Sequence, residues 1–297
     1  VLRDHPKPGR IKYVPHGISY KRIFKVDKDD TKFKQFENKY GLDKYKFKIL
    51  YLNRNIRRKS PGDVALAYKH MMDKLSTEQR AECVFVWQSV VSDENGTDMR
   101  ALCKTLLPDY PVIFTHDVSG PMNDEEMNFL YNSVDVYINI ASNEGFGLGS
   151  LEALTAGTPI TVNVTGGLQD QCGFKKDGKY LTAEDYIELG SNHRGKYKEH
   201  GKWVKPVFPS NISLQGSPLT PYIFDDRAFY EDAGEALLEW YNEGPEKREE
   251  YGELGRQWAM GDDAGMTAEH LGNNFIDGMD TAFENWKPRK KYTLEVI

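Results

Sequence analysis

The sequence predicts an α/β fold: a Rossmann-like parallel sheet with helices on both faces, an irregular insertion and a helical carboxyl-terminal tail. Short apolar runs alternate with segments of helical periodicity from about residue 47 to residue 165. Strands that alternate with helices form βαβ units, whose right-handed crossovers place helices on both faces of a parallel sheet. Hydrophobic residues make up 39% of the 297 residues, which is enough for a sizeable core.

The predicted elements follow one another in a regular order. Strands are expected at Phe47–Leu52, Cys83–Trp87, Pro111–Thr115, Val134–Ile140 and Pro159–Val164. Helices are expected at Pro61–Leu75, Asp98–Leu107, Asp124–Asn132 and Gly149–Ala156. Because ligands of such sheets bind beyond the carboxyl ends of the strands, the loops that follow these strands are the places where a site is expected.

Three regions are predicted along the chain. Residues 1–20 are polar and contain several prolines, which is typical of a linker or hinge. Residues 21–226 are predicted to form the sheet domain, and residues 227–297 a group of carboxyl-terminal helices. Since the chain opens on the linker and on a valine, we expect that a domain has been cut away upstream.

The second half of the chain departs from the regular alternation. Residues 171–226 lack clear periodicity, so we predict an irregular insertion there, with short strands near Trp203–Phe208 and Pro221–Phe224. The helical pattern that follows is predicted to break at Gly244–Pro245 and near Gly261, because glycine and proline interrupt helices.

Composition excludes several classes of protein. A net charge of -6 argues against nonspecific nucleic-acid binding, which needs a basic face. Cys83, Cys103 and Cys172 are odd in number and lack metal-ligand spacing, which favours free thiols in a reducing compartment, and no metal site is predicted. No run of about 18 apolar residues occurs. We therefore expect a cytoplasmic chain, with peripheral association with a membrane left open.

A glycine-rich turn follows the fourth predicted strand. Gly145, Gly147 and Gly149 stand between the strand and the helix that begins there. Glycine allows the backbone to approach a ligand closely, and the amides and dipole of a helix amino terminus favour an anion. This turn therefore predicts a binding site for a diphosphate.

Two acids frame the turn. Glu144 precedes the glycines, and Glu152 lies about two helical turns later, so both should face the same side. A carboxylate accepts two hydrogen bonds from a vicinal diol, which makes sugar or ribose hydroxyls natural partners. The alternative is that both are ordinary acids at the start and on the surface of a helix.

A basic loop follows the first predicted strand. Arg54, Arg57, Arg58 and Lys59 fall within six residues of an otherwise acidic chain. Arginine offers a planar fork and lysine a point charge to phosphate, so the loop predicts a second phosphate contact. Arg57 and Arg58 are expected to be exposed to solvent, and a solvated basic loop without a ligand is the alternative.

The motif block resembles the signature of retaining GT-B glycosyltransferases of the family 4 type. The resemblance rests on Glu144-Gly145-Phe146-Gly147-Leu148, Leu151-Glu152-Ala153, Gly157-Thr158-Pro159 and Gly166-Gly167. It implies an E-x7-E motif formed by Glu144 and Glu152, and a donor-binding domain that is the carboxyl-terminal half of a two-domain enzyme. The domain expected upstream would then be the acceptor-binding half.

The resemblance also implies roles for individual residues. It assigns catalysis to Arg54, Lys59 and Glu144. It assigns donor binding to Gly17, in the hinge segment, and to Phe146, Gly147, Leu148, Glu152, His116, Val118 and Gly167. Asp170 is a looser match to an acid that follows the glycine pair in the family. No cofactor or metal is implied, because a nucleoside-diphosphate sugar is the substrate and cations and amides stabilise its diphosphate.

The implied reaction is transfer of a hexosyl unit to a glycan, lipid or protein acceptor with retention of configuration. Three alternatives remain. The chain as given could be a nucleotide-sugar-binding module without turnover, or part of a GT-B sugar-nucleotide epimerase. A nicotinamide enzyme is the third, but the dinucleotide fingerprint needs glycine where Ser150 stands and normally follows the first strand of its unit.

Overall fold

The computed structural model describes residues 13–182, 185–186 and 189–288, and within them the central element is a six-stranded parallel sheet. Residues 1–12 of the predicted linker and residues 289–297 of the predicted tail lie outside the described part. The sheet contains β1 (Phe47–Leu52), β2 (Cys83–Gln88), β3 (Val112–Phe114), β4 (Val136–Asn139), β5 (Ile160–Asn163) and β8 (Val204–Val207). Two antiparallel hairpins lie outside it: β6 (Lys175–Lys176) with β7 (Lys179–Tyr180), and β9 (Pro209–Ser217) with β10 (Thr220–Ala228).

The helices connect and cover these strands. They are α1 (Thr31–Tyr40), α2 (Pro61–Asp73), α3 (Thr77–Ala81), α4 (Met99–Leu106), α5 (Thr115–Ser119), α6 (Asp124–Ser133), α7 (Leu148–Ala156), α8 (Gly167–Asp170), α9 (Tyr230–Met260) and α10 (Ala268–Glu284). The predicted α/β class, with helices on both faces and a helical end, is confirmed.

The strand order places a switch point in the middle of the sheet. The order is β3-β2-β1-β4-β5-β8, so the chain builds outward from β1 in one direction and then from β4 in the other. β1 and β4 are direct neighbours, with Ile49 opposite Val136. In open α/β sheets the crevice for ligands lies outside the carboxyl ends of the strands at this point, which here means between the loops that follow β1 and β4.

The core forms two layers because side chains alternate between the faces of a strand. On one face, Phe47 and Ile49 of β1 pack with α2 and the first half of α9. On the other face, Leu50 packs in a layer that contains side chains from α1, α6 and α7. Both layers are buried, and burial of apolar surface at about 25 cal/mol per Å² is the main term that stabilises the domain.

The sixth strand corrects the predicted boundary of the irregular insertion. The strand expected near Trp203–Phe208 is β8, and it pairs in parallel with β5, with Ile160 opposite Val204. It therefore belongs to the central sheet rather than to an insertion outside it. Pro206 is tolerated because β8 is an edge strand, where a missing N–H leaves no ladder bond unmade.

The long helix α9 crosses from one face of the sheet to the other at the amino ends of the strands. Gly244 interrupts it with φ 79° and ψ 166°, a conformation that is essentially confined to glycine, and this confirms the predicted break before Pro245. After the break, the guanidinium of Arg248 contacts Asp135, the residue before β4, at 3.1 Å, and donates to the carbonyl of Lys46, the residue before β1. The opposite, carboxyl edge of the sheet is thus left for the candidate site.

Gly252 allows α9 to lie directly against the end of α7. A Cβ at Gly252 would lie 1.9 Å from the carbonyl oxygen of Gly157. We expect Gly252→Ala to lower the free energy of unfolding by about 1–3 kcal/mol, because overpacking forces the two helices apart. Urea unfolding provides the measurement.

Gly272 is the matched control in α10. No atom lies within 4 Å of a Cβ built there, so Gly272→Ala should stabilise the helix by about 0.5–1 kcal/mol. Equal urea midpoints for the two variants would contradict the close contact between α9 and α7.

Candidate functional site

The loops after β1 and β4 meet at the switch point of the sheet. The amide of Ser142 donates to the carbonyl of Arg58 at 2.8 Å. In return, the guanidinium of Arg58 donates to the carbonyl of Asn143 at 2.9 Å. These reciprocal bonds hold the basic loop and the acidic end of the β4 loop side by side.

A buried ion pair lies at this junction. The ammonium of Lys59 donates to Oε2 of Glu144, and the side chains of both residues are nearly buried, at 9% and 12% exposure. The guanidinium of Arg58 contacts the same oxygen at 3.2 Å. Burial lowers the pKa of Lys59, and its hydrogen bond to Glu144 opposes that shift. Two cations and one carboxylate leave this junction with a local excess of positive charge, suited to an anion.

The turn between β4 and α7 depends on two glycines. Gly147 adopts the left-handed conformation, with φ 89° and ψ 58°, directly before α7. A Cβ at Gly149 would lie 2.6 Å from the hydroxyl of Tyr137 on β4, so this glycine lets the helix start close against the sheet. The amides of Leu148 and Gly149 belong to the first helical turn and have no partner within the helix. The amino terminus of α7, with these amides, therefore lies at the carboxyl edge of the sheet.

The loop after β5 packs against this turn. The amide of Gly167 donates to the carbonyl of Glu144 at 3.0 Å, and a Cβ at Gly167 would lie 2.4 Å from Cα of Phe146. The side-chain amide of Gln171 donates to the carbonyls of Phe146 and Gly147 at 2.7 and 3.1 Å. These contacts fix the backbone on which Glu144 and the amides of α7 are carried.

The second acid of the E-x7-E spacing is held by other side chains. Glu152 is 9% exposed, and burial raises its pKa. The hydroxyl of Tyr131 donates to one carboxylate oxygen at 2.7 Å, and the guanidinium of Arg22 contacts the other at 3.4 Å. Arg22 is half exposed, so one side of this carboxylate is covered by a side chain that can move.

Arg54 stands apart from the ion pair of Lys59 and Glu144. Its side chain is 66% exposed, and its Nε lies 3.6 Å from a carboxylate oxygen of Asp93, in the loop after β2. Since exposed ion pairs contribute little, this contact leaves Arg54 free to take other positions.

Two residues to which the resemblance assigns donor binding, His116 and Val118, follow β3. His116 and Val118 lie in the short helix α5 rather than in an open loop, and Val118 is 46% exposed. In the strand order, β3 is three positions from β4, which corresponds to roughly 14 Å at about 4.8 Å per strand. The two residues therefore lie along the same edge of the sheet as the ion pair, but at a distance from it.

The hinge segment contacts both the start of α10 and the loops of the candidate site. A Cβ at Gly17 would lie 2.5 Å from the carbonyl oxygen of Thr267, so this glycine packs against the start of α10. The ring of His16 lies 5.4 Å from the ring of Phe146, between centroids. Tyr13 donates to Asp170 at 2.6 Å, so the hinge contacts the loops after both β4 and β5.

Some residues at the site were not singled out in the sequence. Arg58 is exposed, as predicted, at 47%, and it also contacts Glu144 and Asn143. In the sequence, the position of Arg58 next to Lys59 was the feature that could have predicted this contact. Gln171 and Arg22 act through contacts between distant parts of the chain, for which one sequence contains no local pattern.

The part of the chain that the structure describes contains neither a cluster of metal ligands nor a helix suited to cross a membrane. Between residues 13 and 288, with the two short gaps, no group of three or more His, Cys, Asp or Glu side chains is placed to hold a metal ion. Within the same part of the chain, no helix combines the length and the apolar character needed to cross a bilayer.

The chain matches one known protein family. The family described as Glycosyl transferases group 1 matches residues 32–189, which is more than half of the chain and includes both loops of the junction. The chain belongs to the glycosyl transferases group 1 family. The motif block between Glu144 and Gly167 lies entirely within the matched range.

The chain is similar to several known proteins over part of their length. An uncharacterized glycosyltransferase of Methanocaldococcus jannaschii is 30% identical over 112 residues, which cover 38% of this chain and 22% of that protein. Sucrose-phosphate synthase from Thermosynechococcus elongatus has a TM-score of 0.60 at 17% identity, covering 92% of this chain and 53% of that one. HepE of Anabaena, solved in complex with UDP and glucose, has a TM-score of 0.59 at 10% identity, covering 91% and 56%.

These structural likenesses show that the fold is that of GT-B glycosyltransferases. The chain spans about half of the length of the two solved chains. Its match covers about a fifth of the Methanocaldococcus jannaschii protein.

Proposed function

We propose that the chain binds a nucleoside-diphosphate sugar in the crevice between β1 and β4, as the donor-binding domain of a retaining hexosyltransferase of the family 4 type. The observation that carries the proposal is the nearly buried pair of Lys59 and Glu144 at the switch point of the sheet, next to the amino terminus of α7. Membership of a glycosyltransferase family supports the class of ligand.

The diphosphate would bind where cations and helix amides converge. During transfer with retention, the hydroxyl oxygen of the acceptor forms a bond to the anomeric carbon on the face from which the β-phosphate oxygen departs. The bond between the anomeric carbon and that phosphate oxygen breaks, the hydroxyl proton passes to the departing diphosphate, and negative charge develops on the diphosphate. Lys59 and the first amides of α7 are fixed before the reaction, so they stabilise this charge without reorganisation. Arg54 adds a third positive group when its exposed side chain turns from Asp93 towards the phosphates. In this proposal these groups make a metal ion unnecessary.

The sugar and nucleoside would extend to either side of the diphosphate. Glu144 would accept from hydroxyls of the hexose through Oε1, while its Oε2 keeps the contacts with Lys59 and Arg58. Glu152 would accept from the ribose when Arg22 moves away. The nucleobase would then lie towards α5. The residues proposed to line this path are Gly17, His116, Val118, Phe146, Gly147, Leu148 and Gly167.

Ligand-induced stabilisation tests the proposal. We expect the melting temperature to rise with one of UDP, GDP or ADP, and with the corresponding glucose or mannose nucleotide, because a ligand that binds only the folded state stabilises it by about 2.7 kcal/mol at 100 times its Kd. Calorimetry then gives the affinity. The proposal fails if no nucleoside diphosphate binds, and stabilisation by NAD or NADP alone would favour a dehydrogenase.

The same samples separate binding from turnover. Release of hexose, or transfer to an added acceptor, would show that the chain is active by itself. Binding without either would be the result expected of a nucleotide-sugar-binding module, and formation of an epimeric nucleotide sugar would be the result expected of an epimerase.

A further inference from the structure

One face of α6 connects the second acid of the candidate site to the segment that follows the hinge. Asp124, Asn128 and Tyr131 are spaced i, i+4 and i+7, so they share this face. The hydroxyl of Tyr131 donates to Oε2 of Glu152 at 2.7 Å, and this contact is buried. The other oxygen, Oε1, is the one that Arg22 contacts. Because Tyr131 occupies Oε2 from the interior, a ligand would bind this carboxylate through Oε1.

Arg22 covers that oxygen and is itself held by a second acid. Its Nη1 contacts Oε1 of Glu152 at 3.4 Å, while its Nε donates to Asp124 at 3.0 Å. Since the two contacts use different nitrogens of the guanidinium, Asp124 fixes the group in front of Glu152. With Arg22 in this position, the side chain of Glu152 is only 12% exposed. A ribose that approaches from solvent would therefore meet the guanidinium first.

The backbone beside Arg22 is fixed, whereas its side chain is not enclosed. The side chain of Ile23 is buried, and the amide of Phe24 donates to the side chain of Asn128 at 2.9 Å. The side chain of Arg22 is 50% exposed. It can therefore leave Glu152 by rotation of its own bonds, without a change in the backbone.

We propose that Arg22 is an internal competitor for the ribose of the nucleotide: its guanidinium occupies Oε1 of Glu152 in the free chain, and the ribose hydroxyls replace it on binding. This inference rests on the proposed function, which places the ribose at Glu152. Because one partner of the carboxylate is exchanged for another, the contact with Arg22 opposes the binding of a ribonucleotide.

The exchange also sets the selectivity between ribose and 2′-deoxyribose. A site that is built to bind a hydroxyl rejects a ligand without it, because the polar group of the site is then left unpaired. When the ligand lacks one hydroxyl of the diol, Arg22 stays on Glu152 and the carboxylate keeps a partner. Arg22 therefore lowers the affinity for the ribonucleotide and leaves the affinity for the deoxyribonucleotide almost unchanged.

A direct contact of Arg22 with the diphosphate is the alternative role. It fits the structure less well, because the guanidinium lies between two carboxylates, those of Glu152 and Asp124, and has no excess positive charge to offer to a phosphate. The cations of Lys59 and Arg58, by contrast, share a single carboxylate. The two roles predict opposite signs: removal of a phosphate ligand weakens the binding of a nucleotide, whereas removal of a competitor strengthens it.

Calorimetry with paired nucleotides tests the proposal. UDP, GDP or ADP, whichever binds best, is compared with its 2′-deoxy form. We expect Arg22→Met to bind the ribonucleotide about fivefold more tightly than the wild type, in line with a half-exposed ion pair, and to bind the deoxy form within about twofold of the wild type. Binding of the deoxy form also shows that the variant is folded.

Two further measurements exclude a general effect of charge. Lys21→Met removes the neighbouring exposed cation and should change neither affinity by more than about twofold, because exposed charges are screened. Burial raises the pKa of Glu152, whereas Tyr131 and Arg22 lower it. The titrations are therefore run at pH 8, which keeps this carboxylate ionised when Arg22 is removed.

Glu152→Gln locates the effect. In that background, Arg22→Met should strengthen the binding of the ribonucleotide by less than about twofold, because a neutral amide holds the guanidinium weakly. The inference is wrong if Arg22→Met weakens the binding of the ribonucleotide, if it strengthens ribo and deoxy forms equally, or if the full gain persists with Glu152→Gln. In each of these cases the nucleoside diphosphate still binds, so the proposed function stands; if no nucleoside diphosphate binds the wild type, both fail.

Discussion

Replacing Lys59 by methionine should weaken the binding of the preferred nucleoside diphosphate by about 100-fold, which corresponds to about 2.7 kcal/mol. The reason is the burial of the Lys59 ammonium, which is 9% exposed and hydrogen-bonded to Glu144. A fixed cation in a water-poor site interacts strongly with a phosphate, and methionine keeps the length of the side chain without the charge. Isothermal titration calorimetry measures the change directly.

Two further variants separate a binding defect from a folding defect. Arg57→Met removes an exposed cation from the same loop and should weaken binding by no more than about twofold, because exposed charges are screened by solvent. Lys59→Met alone also leaves Glu144 with Arg58 as its remaining cation, so some stability should be lost. Adding Glu144→Gln to Lys59→Met should restore the melting temperature without restoring affinity. Normal affinity in folded Lys59→Met would remove Lys59 from the donor site.

The sheet could be predicted from the sequence because its information is local. Five strands were expected within one or two residues of their observed bounds, since each is a short apolar run closed by polar or glycine residues. The sequence did not predict the ion pair of Lys59 with Glu144, but the meeting of the loops that carry them follows from local patterns. Each residue stands in a loop after a strand, and parallel strands bring all such loops to one edge.

Other features depend on contacts between distant segments, which a single sequence does not encode in a readable pattern. The sheet position of β8 depends on its pairing with β5, and Trp203–Phe208 alone does not reveal a partner. The carboxylate of Glu152 is covered by Arg22, which lies 130 residues away in the chain. Arg54 lies at the expected strand end but pairs with Asp93, because an exposed side chain takes whichever charge is near.

Asp170 provides a prediction on the dependence of stability on pH. Its carboxyl group is 8% exposed, and burial raises its pKa to about 6, while a hydrogen bond from Tyr13 opposes the shift. An unfolded aspartate has a pKa of about 3.9. Between about pH 4 and pH 6 the unfolded chain therefore loses this proton before the folded chain does. The contribution of Asp170 to the free energy of unfolding is therefore largest below about pH 4. It is lost as the pH rises to about 6.

Asp170→Asn should therefore raise the free energy of unfolding at pH 7 by about 2–3 kcal/mol, since a shift of about two pKa units corresponds to that amount. The amide oxygen of asparagine can still accept the hydrogen bond from Tyr13, which spans 2.6 Å to the carboxylate. At pH 4 the variant and the wild type should have nearly equal stability. Urea unfolding at intervals between pH 4 and pH 7 gives both curves.

Two comparisons connect this effect to the buried carboxylate. Asp263→Asn changes an exposed acid that lines the same cavity as Asp170, and its stability should follow the wild type at every pH. Tyr13→Phe removes the donor that lowers the pKa of Asp170, so the loss of stability should extend to higher pH than in the wild type. If Asp170→Asn keeps the full decline between pH 4 and pH 6, the decline comes from other groups. The carboxyl group of Asp170 would then ionise as readily in the folded chain as in the unfolded chain, as expected of an acid that faces an open ligand site.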